Sequence, residues 1–314
     1  VSSATPTKAG LPAQEPVRAL VGLVVAVVCG DEREQEIARL AAQEGAVVRC
    51  YGFPWPADGI PGAQLVGSAD EAMDGADYAL FPVPGISSDG SLYAPCAPER
   101  VVPGPSLLGR LAPGAAVILG RADDNLREAA AATSTVLIEY EDDVELMLMR
   151  APAVVEGVVA TAVANSPVTL HATAVGVIGF GNIGSLLARS LRMLGSEVHV
   201  FARNPVQRAE AYAAACTPHG LEELKNASRE LAMLFSTVPA PVVGREVLSA
   251  LPTGSLVVDI AAPPGSVDLE LARQLGHRAV WARGMGRSAP VTVGRSQWAG
   301  ISRRVVEHQR RRPR

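Results

Sequence analysis

Three glycines at fixed spacing, Gly179, Gly181 and Gly184, follow an apolar run from Ala174 to Ile178 and stand directly ahead of a helical pattern. The chemistry such spacing serves is phosphate binding. The first glycine permits a tight strand-to-helix turn, the second lets backbone approach a pyrophosphate, and the third lets the helix pack on the strand. The helix would offer the free N–H groups of its first turn and the positive end of its dipole. Its apolar residues, Ile183, Leu186, Leu187, Leu191 and Leu194, recur at helical period and stop at Gly195. A bare G-x-G-x-x-G also occurs as an ordinary turn of a parallel sheet. The strand before it, the helix after it and a second strand from Glu197 to Phe201 make it a dinucleotide fingerprint, with Gly179, Phe180, Gly181, Asn182, Ile183 and Gly184 as the cofactor turn.

An NAD site usually carries Asp or Glu at the end of that second strand, to bind the ribose 2′-hydroxyl. Here the chain reads Phe201-Ala202-Arg203-Asn204, with Arg208 one helical turn on. No carboxylate would repel a 2′-phosphate and Arg203 can pair with one, so NADP is expected over NAD, and Ala202, Arg203, Asn204 and Arg208 form the adenosine end of the site. The competing reading of Arg203 is a solvated surface residue. Farther along, Ser236-Thr237-Val238-Pro239 and Asp259-Ile260-Ala261-Ala262-Pro263-Pro264-Gly265 end two more strands. Their small residues would let a flat ring approach the backbone, which makes Thr237, Val238, Pro239 and Ala261 candidates for the nicotinamide side; sheet packing and turn formation are the alternative.

The first half of the chain carries a second group of reactive types. After its first strand come Gly30-Asp31-Glu32-Arg33 and Glu36. Asp31 is either a helix N-cap or a proton acceptor. Arg33 lies in a first turn, where a cation gains nothing from the dipole, so an anionic partner is expected for it. The segment Phe81-Pro-Val-Pro-Gly-Ile-Ser87-Ser88-Asp89-Gly90 could cradle a carboxylate with its hydroxyls, or be a plain surface loop. Cys29, Cys50, Cys96 and Cys216 stand far apart and the five histidines do not cluster, so neither a metal site nor a disulfide framework is expected, and a cytoplasmic location fits.

These loops need a scaffold that brings strand ends together. Strand-like and helical runs alternate in both halves, which predicts an α/β protein of two tandem Rossmann-like, doubly wound parallel-sheet domains with an interdomain cleft. The strands expected are Leu23 to Val28, Val47 to Tyr51, Tyr78 to Phe81, Ala116 to Leu119 and Val136 to Ile138. They recur as Val175 to Ile178, Val198 to Phe201, Ala232 to Phe235, Leu256 to Ile260 and Ala279 to Trp281. Residues 1–16 read as a disordered leader, 17–151 as a substrate domain, 152–170 as a connecting helix opened by Pro152, 171–294 as the NADP-binding domain, and 295–314 as a last helix, from about Ser296, with a basic tail. At 314 residues and 48% hydrophobic content the chain can bury two cores. The six arginines of the last twelve residues bring that end to about +5 against a net charge of −4, leaving −9 elsewhere; the acidic remainder and 4% aromatic content argue against nucleic acid. The apolar run Leu20 to Cys29 is too short to span a bilayer, and no membrane association is expected.

The order of several motifs, weak singly, resembles the dipicolinate synthase A subunit family from Leu23 to about Gly300. These are Gly30-Asp-Glu-Arg33 with Glu36, Pro82-Val-Pro-Gly-Ile-Ser-Ser-Asp-Gly90, Asp142-Asp143 with Glu156-Gly157, and Gly179 to Gly184. Ala202-Arg203, Thr237-Val-Pro239, Asp259-Ile-Ala261 with Pro264-Gly265, and Ala289-Pro290 with Thr292 and Gly294 complete the set. The resemblance implies an NADP-dependent oxidoreductase that makes an aromatic pyridine-2,6-dicarboxylate from a dihydrodipicolinate, derived from 4-hydroxytetrahydrodipicolinate, together with a flavoprotein-like B subunit. Such a reaction needs a hydride acceptor, a proton acceptor and donors for a small dicarboxylate. The candidate bases are Asp31, Asp143 and Glu156, or water, and the candidate anchors are Arg33, Ser87, Ser88, Arg283 and Arg287. A homo-oligomer is expected as well.

The sequence departs from the family where cations are expected. Ala262-Pro263-Pro264-Gly265 replaces Ser-Arg-Pro-Gly, Val291 replaces a lysine, and Met149-Arg150 replaces Asn-Ser. Arg150, Arg283 and Arg287 are the available substitutes. Two alternatives follow from the same residues: a 2-hydroxy-acid or amino-acid dehydrogenase, against which the loop after Trp281 holds Arg283-Gly-Met-Gly-Arg287 and no histidine, and a non-catalytic NADP-binding regulatory subunit.

Overall fold

The computed structural model describes residues 20–262 and 264–312. They form two compact units, one of the chain up to Glu139 together with Trp298 onward, the other Tyr140–Gln297. In the first unit six strands, β1 (Val24–Val28), β2 (Val47–Tyr51), β3 (Ala63–Leu65), β4 (Tyr78–Leu80), β5 (Ala116–Leu119) and β6 (Val136–Glu139), lie in the order β3-β2-β1-β4-β5-β6. All pair in parallel. The connections hold α1 (Glu32–Gln43), α2 (Ala69–Met73), α3 (Pro105–Leu108) and α4 (Asp124–Thr133). Ala26, Val27 and Val28 in the central strand are fully buried, the expected state of a parallel strand covered on both faces.

The second unit repeats the plan with β7 (Ala174–Ile178), β8 (Glu197–Phe201), β9 (Thr217–His219), β10 (Met233–Ser236), β11 (Leu256–Asp259) and β12 (Arg278–Trp281), in the order β9-β8-β7-β10-β11-β12. Its helices are α5 (Val144–Asn165), α6 (Asn182–Met193), α7 (Pro205–Ala213), α8 (Leu224–Ala227), α9 (Arg245–Leu248) and α10 (Leu269–Gln274). Both sheets therefore have the doubly wound order in which the strand direction of travel reverses beside the first strand, and ligands bind beyond the carboxyl ends of the strands at that reversal. Two apolar cores flank the second sheet, one holding Val175, Val177 and Leu187, the other Ile178, Leu234 and Val257.

Several elements differ from their sequence expectation. The connecting helix begins at Val144, not Pro152, because Asp143 caps it by accepting from Leu146 N at 3.2 Å, and Pro152 lies inside it. Proline removes one backbone hydrogen bond there and crowds the carbonyl four residues back. The helix persists because Leu146, Ala151, Ala153, Val155 and Val158 are buried on either side of it. The unit boundary accordingly falls before this helix, at Tyr140, rather than at residue 151. By length and composition α5 could cross a membrane, yet its buried face belongs to the core of the second unit.

The last helix, α11 (Pro290–Arg311), begins at a proline rather than near Ser296 and carries most of the arginine-rich segment in regular helix. Its distal half docks on the first unit. Trp298 Nε1 donates to Glu44 at 2.6 Å, Tyr78 Oη meets His308 Nδ1 at 2.9 Å, and Arg312 reaches Asp77 at 3.3 Å and the Pro113 carbonyl at 2.8 Å. The expected leader at 1–16, Pro263 and Arg314 lie outside the described residues.

Candidate functional site

The cofactor turn is built as its spacing requires. Gly179 has φ +92°, and a Cβ there would meet Thr237 Oγ1 at 2.6 Å. Gly181 is the N-cap of α6, so the first N–H groups of that helix have no side-chain acceptor. A Cβ at Gly181 would meet nothing within 4 Å, which leaves the helix end open to a ligand's approach, whereas a Cβ at Gly184 would come within 2.2 Å of the Gly179 carbonyl oxygen. The second glycine is thus needed for access and the third for packing. Asn182 is exposed and Ile183 half-buried at the open end, while the Phe180 side chain is buried in the core and can offer a ligand only its backbone.

At the end of β8, Ala202 is buried and Arg203 is exposed, its guanidinium without a hydrogen bond or ion pair to any described residue. Arg208 is spoken for: its Nη1 donates to the carbonyls of Ala202 and Arg203, both at 2.9 Å. Asn204 caps α7, accepting from Val206 N at 2.8 Å. The adenosine end therefore presents one cation without a partner among the described residues, Arg203, on a turn held by Arg208. Beside it His219 stacks on Phe201 and on His199, whose Nδ1 lies 3.0 Å from His219 Nε2. Burial and the neighbouring His219 hold the His199 ring below the usual imidazole range.

On the other side of β7, Thr237 Oγ1 donates to the Ile178 carbonyl at 2.9 Å and closes over Gly179; Val238 is half-buried and Pro239 exposed. Asp259 organises the following loop, accepting from Ala261 N at 3.0 Å, Ser266 N at 2.6 Å and Val267 N at 3.0 Å. The Ala261 carbonyl accepts from Trp281 Nε1 at 3.1 Å. The Arg283 guanidinium lies 5.2 Å above the Trp281 ring, and Arg287 is exposed in a short 3-10 turn, Met285–Ser288. That turn packs on α5, where a Cβ at Gly157 would meet Met285 Cβ at 2.8 Å, and Glu156 stands exposed next to it in sequence. The Glu156 side chain makes no hydrogen bond to any described residue, unlike that of Asp143, the α5 cap. Arg150 pairs with Glu141 at 3.3 Å.

In the first unit Asp31 and Arg33 meet each other. Arg33 Nε and Nη2 donate to the two Asp31 oxygens at 2.8 and 2.7 Å, and Arg33 N donates to Oδ1 at 3.1 Å, so Asp31 is the α1 cap and the anionic partner expected for Arg33. Both residues are buried. The Ser87–Ser88 segment is the tip of a small hairpin: Ile86 bridges Leu92, and Gly90 N donates to the Ser87 carbonyl at 2.9 Å. Asp89 ties the tip through Ser91 Oγ at 2.6 Å and Arg100 at 3.0 Å, and neither the Ser87 nor the Ser88 hydroxyl has a partner among the described residues.

Sequence reasoning missed Glu34. It is 1% exposed, its Oε2 accepts from Asp31 N and its Oε1 from Val83 N, both at 2.7 Å, and burial pushes its carboxyl up to about 7. The signal was available in part, since Asp31 and Glu34 have the spacing of a capping box.

Comparison with known proteins assigns both units. Residues 24–141 match the N-terminal domain of the dipicolinate synthase A subunit, and residues 150–278 match the NAD-binding domain of D-isomer specific 2-hydroxyacid dehydrogenases. The chain is 27% identical over 291 residues to the dipicolinate synthase A subunit of Bacillus subtilis (strain 168), covering 92% of this chain and 98% of the relative. The crystal structure of the Bacillus halodurans counterpart superposes with a TM-score of 0.84 at 25% identity, covering 94% of this chain and 99% of that one. An L-alanine dehydrogenase at 16% identity and TM-score 0.63, covering 91% of this chain and 90% of its own, shares the fold. The chain is an NAD(P)-dependent oxidoreductase, similar over most of its length to dipicolinate synthase A subunits.

Proposed function

We propose that this protein uses NADP to oxidise a dihydrodipicolinate, derived from 4-hydroxytetrahydrodipicolinate, to the aromatic pyridine-2,6-dicarboxylate, as a homo-oligomer working in the cytoplasm with a flavoprotein-like B subunit. The observation that carries the reading is the pairing of an open helix end at Gly181 with a cation, Arg203, without a partner among the described residues, in a chain of which 92% aligns with the dipicolinate synthase A subunit of Bacillus subtilis. Backbone N–H groups of Asn182, Ile183 and Gly184 hold the pyrophosphate, and Arg203 pairs with the 2′-phosphate. When bound, the nicotinamide accepts the hydride that leaves the ring; the proton that leaves with it goes to a carboxylate or to water, so that one dihydropyridine and one NADP⁺ give one pyridine, one NADPH and one proton.

The chain's own part is to orient the substrate and take that proton. Asp31 is committed to Arg33 through both oxygens and Asp143 to the start of α5, which leaves Glu156, exposed on the helix that packs against the Arg287 turn, as the available proton acceptor. Each unit carries its own candidate donors for a substrate carboxylate: the Ser87 and Ser88 hydroxyls in the first, and in the second Arg283 or Arg287, which would stand in for the family cations replaced by Pro263 and Val291. Each such charge-assisted bond contributes about 1.5 to 3 kcal/mol. Four free thiols agree with a reducing compartment.

The test combines nucleotide titration with a spectroscopic assay of pyridine formation from freshly generated 4-hydroxytetrahydrodipicolinate and NADP⁺, with and without the B subunit. Pyridine formation that falls about 100-fold in Glu156→Gln is expected. Tight NADPH binding without turnover in either condition overturns the substrate assignment and leaves the cofactor assignment standing.

A further inference from the structure

The hairpin that carries Ser87 and Ser88 is pinned at both ends to the turn between β1 and α1. At its start, Val83 N donates to Glu34 Oε1 at 2.7 Å; at its end, Gly30 N donates to the Tyr93 carbonyl at 2.8 Å. We propose that Glu34 is a positioning residue for the substrate: its carboxylate fixes the base of the 83–93 hairpin on the β1–α1 turn and so sets where the Ser87 and Ser88 hydroxyls stand. This rests on the reading, given above, that those hydroxyls hold a substrate carboxylate.

A helix cap alone does not account for Glu34. The capping box needs one of its oxygens, on Asp31 N, and an exposed glutamate would serve. The second oxygen reaches 49 residues along the chain to a backbone N–H flanked by Pro82 and Pro84, neither of which has an N–H to give. The carboxyl is buried, and Gly30 is required to make room: its φ is +116° and a Cβ there would stand 2.3 Å from Glu34 Cδ. Burying a carboxylate is costly unless its oxygens are bonded, so the base of the hairpin is held to one place, while Ser88 and Asp89 at the tip are exposed. The charged and titratable groups acting on Glu34 are Asp31 and Arg33 of the turn and Cys29 just after β1; the hairpin contributes its Val83 N–H. Desolvation outweighs the two N–H bonds and brings the group to about 7.

The experiment measures, on the full chain, calorimetric binding of pyridine-2,6-dicarboxylate and of NADPH, together with amide exchange across residues 83–93, in the wild type, Glu34→Gln and Glu34→Asp. Gln keeps one acceptor and turns a donor toward the other N–H; Asp keeps the charge and shortens the reach. Expected are an affinity for the dicarboxylate about tenfold weaker in Glu34→Gln, an intermediate value in Glu34→Asp, and NADPH affinity unchanged in both. Exchange in the hairpin should quicken in Glu34→Gln. Wild-type exchange rates in Glu34→Gln, or faster exchange with undiminished dicarboxylate affinity, overturn the proposal; should Glu34→Gln not fold, Glu34→Asp decides by the same two readouts. A wild type that does not bind the dicarboxylate, while Glu34→Gln quickens hairpin exchange, overturns the substrate reading and not the clamp.

Discussion

The two units solve the same backbone problem with opposite side chains. In each, the first strand is followed by a residue of positive φ, Cys29 at +69° and Gly179 at +92°, whose N–H donates to the neighbouring strand's last carbonyl, Tyr51 at 2.6 Å and Phe201 at 2.9 Å. Two residues on comes the N-cap, Asp31 or Gly181, and three after that the N3 position, Glu34 or Gly184. In the first unit carboxylates occupy both positions and satisfy the helix end from within the chain. In the second, glycines leave the end uncovered. A helix N-terminus attracts whichever anion can reach it, so the choice of residue at the cap and N3 decides between a structural joint and a phosphate site on one and the same fold.

The strongest way to break this contrast is Asp31→Ala. It removes the α1 cap and both guanidinium bonds of a buried Arg33, and the first unit should lose about 3 to 5 kcal/mol, read as a lower urea midpoint for that unit with nucleotide binding by the second unit retained. Next is Gly184→Ala, whose Cβ falls 2.2 Å from the Gly179 carbonyl oxygen. Backbone cannot yield cheaply, so about 3 kcal/mol should be lost from the second unit, and nucleotide binding with it. Its partner variant sharpens the point: Gly181→Ala meets open space at an ordinary φ of −84° and should leave the melting temperature unchanged while weakening NADPH binding.

The first unit's internal anion also titrates. Glu34 has its folded value raised from 4.5 to about 7, so the folded state holds a proton that the unfolded chain has released. Its contribution to stability is therefore fully present below about 4.5 and is lost as pH rises through about 7, a decline on the order of 3 kcal/mol. Denaturant titrations of wild type and Glu34→Gln at pH 5 and pH 8 should show that decline in the wild type and not in the variant; parallel behaviour of the two would mean that the hydrogen bonds from Asp31 and Val83 outweigh burial.

What was legible in the sequence follows the same line. The fingerprint Gly179 to Gly184 could be read because its three glycines stand within six residues of one another, so the spacing itself carries the signal. Asp31 as a cap was equally local. The tie from Glu34 to Val83 was not, since it joins the ends of two strands that only the sheet order brings together. Short edge strands such as Thr217-Pro-His219 carry no apolar run to betray them, and Pro152 hid the true start of α5 because burial on both sides of it overrides a local helix breaker. For Arg33 an anionic partner was legible, and Asp31, two residues away, is one.

The smallest expected effect lies at Arg203, the cation that the adenosine end leaves without a partner among the described residues. Arg208 spends its guanidinium on the carbonyls of Ala202 and Arg203, and that fixes the turn from which Arg203 projects. A surface ion pair in water contributes up to about 1 kcal/mol, and a guanidinium facing a dianionic phosphate on a held turn somewhat more. Arg203→Ser should accordingly weaken NADPH about tenfold and leave NADH unchanged, since NADH presents a hydroxyl at the same place. Arg208→Ser should weaken both nucleotides alike, by releasing the turn that supports the adenosine ribose. If the two variants have interchanged effects, Arg208 is the phosphate reader and must leave its carbonyls to act; if neither discriminates, the missing carboxylate at this position reflects tolerance of both cofactors, and the second unit's open helix end alone carries nucleotide affinity.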